Sequence, residues 1–237
     1  LLYLCMRARP ECLVAVAFLC TRVTKSTAQD ADKLDRVLGY IRKHEGGCVV
    51  LRPGKKGIVS ELYTDSSYGV HPDAKSHSGS AVNIGDGAMV HWESGKQQGV
   101  TKSSTEAEFT AAAEAGKIAL YLRSILYELG FGQELPTIIY EDSTGALHMA
   151  NAQQPTRCTR HMDTKHFAIQ DWVAHHQIDV APIATANNIS DAFTKALGRI
   201  KFYEQTDVIM GRQIPPYVPA WIQKNHPPCH QPPLAMH

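Results

Sequence analysis

Lys102-Ser103-Ser104-Thr105-Glu106-Ala107-Glu108-Phe109 opens the longest helical run in the chain and carries two glutamates with different fates. Ser103 followed three residues later by Glu106 has the form of a capping box, with Ser103 as N-cap and Glu106 reaching back to its amide. Glu106 then continues along Thr110, Ala113 and Lys117, a face that reads as solvated. Glu108 lies above Ala111, Ala112, Ala115, Ala119, Leu122 and Leu126 at three- and four-residue steps, the buried face. A carboxylate at the head of an apolar face costs several kcal/mol unless it is paired, so a cation or a hydrogen-bond network is expected there. Glu108 is therefore the candidate metal ligand and Glu106 the cap.

Around this helix the pattern from Ser60 to Leu197 alternates strands and helices. Strands are expected at Glu61–Asp65, Gly79–Ile84 and Ala88–Glu93, the last two joined around Gly85-Asp86-Gly87. The long helix runs from Lys102 to Leu129 and is stopped by Gly130. A strand over Pro136–Asp142 leads into a short helix through Ala150. A helix at Met162–His175, a strand at Ile178–Ile183 and a helix from Asn188 complete the series. Three meandering strands followed by alternating helices and strands imply an α/β fold built on a mixed sheet.

Two strand ends present carboxylates, Asp65 in Tyr63-Thr64-Asp65-Ser66-Ser67 and Asp142 in Tyr140-Glu141-Asp142-Ser143. Ligands of open α/β sheets gather beyond strand termini, although Asp is also an ordinary turn or N-cap residue. Asp191, in Asn188-Ile189-Ser190-Asp191, fits an N3 acid closing a box with Asn188, which is a structural role. Carboxylates without clustered Cys or His suit a hard cation such as Mg2+ or Mn2+. Two such ions ~4 Å apart are a known device for in-line phosphodiester cleavage.

Composition sets outer limits. The 237 residues, 43% hydrophobic and 20% charged, suit one domain plus extensions. A net charge of +1 excludes a general nucleic-acid coat and leaves only local contact with nucleic acid. The six cysteines are scattered without a CxxC pair and read as reduced thiols of an intracellular protein. Opening on Leu1-Leu2 rather than Met reads as a piece of a longer precursor. The apolar run from Cys12 to Cys20 is too short to span a bilayer and is expected to be a buried helix. A second amphipathic run carries Leu34, Leu38 and Ile41, and Gly46-Gly47 and Pro53-Gly54 close this helical region. The proline-rich stretch from Pro215 is expected to lack a fixed fold.

At these residues the sequence resembles the reverse transcriptase–RNase H end of a Ty1/copia-type retrotransposon polyprotein. Trp92-Glu93-Ser94-Gly95-Lys96-Gln97 followed by Ser103–Phe109 is similar to that family's W-S-x-K-Q … S-S-T-E-A-E-Y. Ser76-His77-Ser78-Gly79 is similar to S-T-S-G, Tyr140–Ser143 to Y-x-D-N/S, His161-Met162-Asp163 to H-I-D, and Asp191–Lys195 to D-I-F-T-K. Leu1–Leu4 with Arg9-Pro10 looks like L-L-Y-L … T-R-P at the end of the polymerase region. The likeness covers roughly residues 1 to 205.

The resemblance implies an RNase H-like mixed five-stranded sheet flanked by helices. It divides the chain into 1–57, a helical tail of the reverse transcriptase region; 58–200, the nuclease; and 201–237, a C-terminal helix and Pro-rich tail. It implies metal-dependent hydrolysis of the RNA strand of RNA–DNA hybrids, with Asp65, Glu108, Asp142 and Asp191 holding two Mg2+ ions, or Mn2+ in their place. For Asp191 the resemblance overrides the structural reading. The partners implied are the hybrid and the rest of the Pol polyprotein, with no membrane, in a cytoplasmic virus-like particle or the nucleus.

There are departures. Ser67 and Tyr68 stand where the family often has a second acid and a Trp, and His166-Phe167 where Tyr-His is common. The loop Ala184–Ser190 has no histidine, unlike cellular RNases H, and the paired aspartates of a polymerase palm are absent. Lys96, Lys102, Ser103 and Ser104 at the head of the long helix are candidates for a hybrid phosphate, or are simply a capped surface. Cys158, His161, His166 and Asp171 have spacings like a zinc knuckle, but the last three fall in an expected helix. A decayed element that binds without cutting, and a DNA nuclease of the same superfamily, are the competing functional readings.

Overall fold

The computed structural model describes residues 1–51, 58–85, 88–151 and 163–214. The Pro53-Gly54 turn, the centre of the Gly85–Gly87 turn, Cys158, the His161-Met162 pair and the Pro-rich tail lie outside them.

Five strands form one sheet: β1 (Ser60–Ser67), β2 (His77–Ile84), β3 (Ala88–Lys96), β4 (Thr137–Glu141) and β5 (Ile178–Pro182). The order across the sheet is β3-β2-β1-β4-β5. β1, β2 and β3 are antiparallel neighbours, whereas β4 runs parallel to β1 and β5 parallel to β4. This is the RNase H-like mixed five-stranded sheet that the sequence implies. Its parallel part places the C-terminal ends of β1 and β4 side by side, with Asp65 at one and Glu141-Asp142 at the other.

Alternation along the strands fills two cores. Leu62, Val82, Ile139, Ile178 and Val180 point to one face, where α4 (Ser104–Glu128), α5 (Thr144–Asn151) and α6 (Asp163–Ala174) pack. α4 is capped by Ser103, whose hydroxyl accepts the Glu106 amide at 3.1 Å, and ends where Gly130 turns to φ +82°. Glu106 reaches the Lys102 amide (2.7 Å), one residue before the position a capping box requires. Thr110 and Ala113, expected on a solvated face, are buried, because α4 is wedged between the sheet on one side and α5 and α6 on the other.

Tyr63, Ala81, Met89, Trp92, Ile138, Tyr140 and Ala181 point to the opposite face. The N-terminal helices cover it: α1 (Leu2–Arg7), α2 (Leu13–Cys20) and α3 (Ala28–Lys43). Cys5, Leu13, Val16 and Val37 enter this core with Ile189, Phe193, Val208 and Ile209 from the C-terminal end. The Trp92 indole N–H donates to the Cys5 carbonyl at 2.9 Å, tying α1 to β3. In α2 the expected face holds for Leu13, Val16 and Ala17, but Cys20 is exposed at the helix end. In α3 the buried positions are Asp30 and Val37, with Tyr40 and Ile41 against the core, while Leu34 faces outward. No helix among the described residues is long and apolar enough to cross a membrane.

Candidate active site

Past Asn188 the chain makes a five-residue 3-10 helix, Ile189–Phe193, rather than the α-helix expected; the next α-helix is α7 (Arg199–Ile209). Asn188 explains the tight turn. Its side-chain oxygen accepts the Ser190 amide (3.2 Å) and hydroxyl, and its Nδ2 donates to the Thr64 carbonyl (2.9 Å) and to Asp142 Oδ1 (3.4 Å). One buried amide thereby holds β1, the end of β4 and the 189–193 turn together.

Asp191 lies on that turn with no exposed surface. It does not close a box with Asn188. Its carboxylate pairs with Lys195, Nζ to Oδ1 at 2.5 Å, and with Lys201 of α7. The same Lys195 ammonium stands 3.4 Å from Asp65 Oδ2, and the Thr194 hydroxyl donates to that oxygen. Two acids from distant parts of the chain are thus clamped by one lysine and one threonine of the segment after the turn.

Burial raises the Asp65 carboxyl to about 6, with Thr194 and Lys195 pulling it down and Asp191 and Asp142 pushing it up. Glu108 is pushed up to about 9, first by burial and then by Glu141, Asp65 and Asp142. Its Oε2 is buried without a hydrogen-bond partner. Asp65 thus stands near Asp142 and Asp191, and Glu108 near Asp65 and Asp142, which links the four acids expected from the sequence through Asp65.

A fifth acid joins them. Glu141 is fully buried, is raised to about 8 chiefly by burial, and has one oxygen on the Ser143 amide (3.0 Å) and the other unpartnered. It was legible in principle: Glu141 lies two residues beyond the buried Ile139, so strand alternation turns it toward α4 and Glu108.

Among the described residues, no three acidic, histidine or cysteine side chains stand close enough together to hold an ion. Between Asp65 and Asp191 the cation is the Lys195 ammonium. Even so, the donors fit a divalent metal, because buried carboxylate oxygens on Glu108 and Glu141 lack any partner and every candidate ligand is a hard oxygen.

A chain of buried and half-buried groups supports the turn from behind. His71 Nε2 and His77 Nδ1 are 3.0 Å apart, His77 Nε2 is 2.8 Å from Ser94 Oγ, and Ser94 donates to the Phe193 carbonyl at 2.6 Å. The last bond sets the rest: His77 must give its Nε2 proton to Ser94 and accept the Nε2 proton of His71. Burial holds both imidazoles below their ordinary range, His77 at about 4, which keeps them neutral as this relay requires. Phe18 of α2 stacks on both rings, at 4.8 and 4.4 Å.

The phosphate candidates sit elsewhere. Lys96 pairs with Asp73 at 2.7 Å, and Lys102, Ser103 and Ser104 are exposed at the head of α4, where Ser103 is occupied as the cap.

No protein-family model matches the chain. It is 28% identical over 202 residues to the "Retrovirus-related Pol polyprotein from transposon TNT 1-94" of Nicotiana tabacum, covering 85% of this chain and 15% of that protein. The corresponding polyprotein from transposon RE2 of Arabidopsis thaliana is 30% identical over 210 residues, 88% of this chain and 14% of its own length. The chain thus spans about one-seventh of these relatives. Among solved structures, LC11-RNase H1 in complex with RNA/DNA hybrid aligns with a TM-score of 0.42 and 15% identity, over 56% of this chain and 92% of that one. The chain is a homologue of the retrovirus-related Pol polyproteins of Ty1/copia-type transposons, and it carries an RNase H-like sheet.

Proposed function

We propose that this chain hydrolyses the RNA strand of RNA–DNA hybrids as the nuclease end of a retrotransposon Pol polyprotein. The observation that carries the reading is the meeting of Asp65, Glu108, Asp142 and Asp191, from four separate elements, in one electrostatically coupled cluster at the ends of β1 and β4. Residues 1–57 are then the tail of the polymerase part, and 58–200 the nuclease. The setting is intracellular, in a cytoplasmic virus-like particle or the nucleus.

In this mechanism Asp65, Glu108, Asp142 and Asp191 would hold two Mg2+ ions, with the buried Glu141 behind them as a further carboxyl that a bound cation would strip of its proton. Bound there, the pair supplies an activated water and a stabilised leaving oxygen for in-line displacement. The chain's own groups set the geometry: Asn188 fixes Asp142 to β1, Thr194 orients Asp65, and Ser94 holds the carbonyl behind Asp191. The loop before Asp191 offers no imidazole; the ionisable group set against Asp65 and Asp191 is Lys195, from the segment after the turn. Choice of strand would come from contacts to 2′-hydroxyls, with Lys96, Lys102, Ser103 and Ser104 as phosphate contacts of the hybrid.

Incubating the chain with a labelled hybrid and Mg2+ tests the proposal. Cleavage that disappears in Asp142→Asn is expected. No cleavage by the wild type, or undiminished cleavage by the variant, refutes it. One observation favours a second reading, a decayed element that binds hybrid without cutting it: the Lys195 ammonium stands between Asp65 and Asp191. That reading predicts hybrid binding with no turnover at any Mg2+ or Mn2+ concentration.

A further inference from the structure

Helices α2 and α3 do not close against the end of β1; they leave a groove of about 570 Å3. That is within the ~300–1,000 Å3 of ordinary ligand pockets. Its surface is overwhelmingly apolar, formed by Val14, Phe18, Leu19, Val37 and Val70. One wall is Thr194-Lys195-Ala196, the segment that clamps Asp65 and Asp191. The groove therefore opens beside the acid cluster.

Its rim is charged in one sense. Arg22, Lys33, Arg36 and Lys195 line it against a single acid, Asp30. Asp30 is buried and committed: it accepts the Thr27 amide (2.9 Å) and hydroxyl (2.8 Å), and it lies 2.9 Å from Arg22 and 3.6 Å from Lys33. The α3 capping box thus doubles as an anchor that fixes a guanidinium at the groove's edge. Arg36, one turn further along α3, projects from the same rim. In a chain whose net charge is only +1, this concentration of cations is local. A polyanion approaching an acid cluster meets repulsion unless positive charge stands next to it.

We infer that this groove binds the nucleic-acid strand that continues from the acid cluster, with a base and sugar against the apolar floor and phosphates on Arg22, Lys33 and Arg36. The inference deepens the nuclease reading and rests on it. It makes α2 and α3 part of the substrate track.

The test uses the full chain carrying Asp142→Asn, expected to bind without cutting, and a fluorescently labelled RNA–DNA hybrid read by anisotropy across a salt series. Arg36→Glu is compared with Arg42→Glu, an exposed residue on another face of α3 that makes the same change in net charge. Ala15→Trp fills the groove without altering charge, from an exposed position of α2. Arg36→Glu is expected to weaken binding about tenfold relative to Arg42→Glu and to reduce the salt slope by roughly one. Ala15→Trp is expected to weaken binding with the slope nearly unchanged. If either variant binds as tightly as Arg42→Glu, the groove is not the strand's track. If the Asp142→Asn parent does not bind the hybrid at all, the nuclease reading falls and the groove assignment falls with it.

Discussion

Gly79→Ala adds one methyl group at the point where β2 passes beneath the 189–193 turn. Gly79 pairs with Asp65 in the sheet, and a Cβ there would lie 2.7 Å from Phe193 Cβ and Thr194 Cγ2 and 3.0 Å from the Phe193 carbonyl carbon. Carbon atoms sit comfortably at about 3.5–4.0 Å, so the turn must retreat by about 0.8 Å. Phe193 cannot evade the contact by rotating its side chain, since the atoms involved are its Cβ and backbone. The strand is held on both sides by β1 and β3. Overpacking of this kind costs about 1–3 kcal/mol, which lowers Tm by roughly 2–4 °C for each kcal/mol in a chain of this size. The retreat takes the Thr194 hydroxyl from Asp65 and shifts Asp191, and a misplacement near 1 Å costs on the order of 100-fold in rate. Melting followed by circular dichroism, beside cleavage of a labelled hybrid, reads both effects. Gly95→Ala is the control, because a Cβ at Gly95 meets nothing within 4 Å. A Gly79→Ala chain that melts within a degree of wild type and cuts within twofold of its rate would refute the close-contact argument.

Other outcomes follow from the charges. Lys195→Met removes the cation between Asp65 and Asp191, so Mn2+ titrated calorimetrically should bind several-fold more tightly; unchanged or weaker binding shows that the lysine does not compete with the metal. Glu108 and Glu141 are raised to about 9 and about 8, so the folded state keeps protons that the unfolded chain has released. Metal-free stability should therefore fall as pH rises from about 4.5 toward 9. Mg2+ should restore stability at the alkaline end, and Glu108→Gln should flatten the profile; denaturant melts at pH 5, 7 and 9 check all three. Ser94→Ala breaks the relay to the Phe193 carbonyl and should cost about 1–2 kcal/mol. Its kcat should fall with KM for hybrid unchanged, whereas equal loss in both would assign Ser94 to substrate contact.

Periodicity made the sheet and the long helix readable, because Leu62, Ile139 and the alanines of α4 recur at spacings that only one element type buries on one side. The choice of Glu108 over Glu106 came from the same helix geometry, and the structure sets Glu108 near Glu141, Asp65 and Asp142. What escaped depends on contacts between distant residues. Nothing near Asp191 in sequence announces Lys201 on α7, and nothing in Leu34-x-x-x-Leu38 says that Asp30 and Val37 are the residues that go inside. Asn188 reads as an ordinary N-cap, yet its amide spans three elements, a role visible only once β1 and β4 are parallel neighbours. Glu141 was hidden by its neighbour: of two adjacent acids at a strand end, the one turned inward is known only when the helix above it is placed.

The bond from Trp92 to the Cys5 carbonyl and the stacking of Phe18 on His71 and His77 bear on how such a fold could be handed on. Much of one face of the sheet is roofed by chain that precedes the first strand, beside the residues that the C-terminal end contributes. A gene segment starting at β1 would encode a sheet with Tyr63, Met89 and Trp92 laid bare, a sticky half-protein rather than a portable domain. A protease cutting between α3 and β1 would likewise nick the chain without freeing the sheet, since the severed helices remain packed on it. The smallest self-sufficient unit of this fold therefore begins at the helices ahead of β1 and not at the sheet itself.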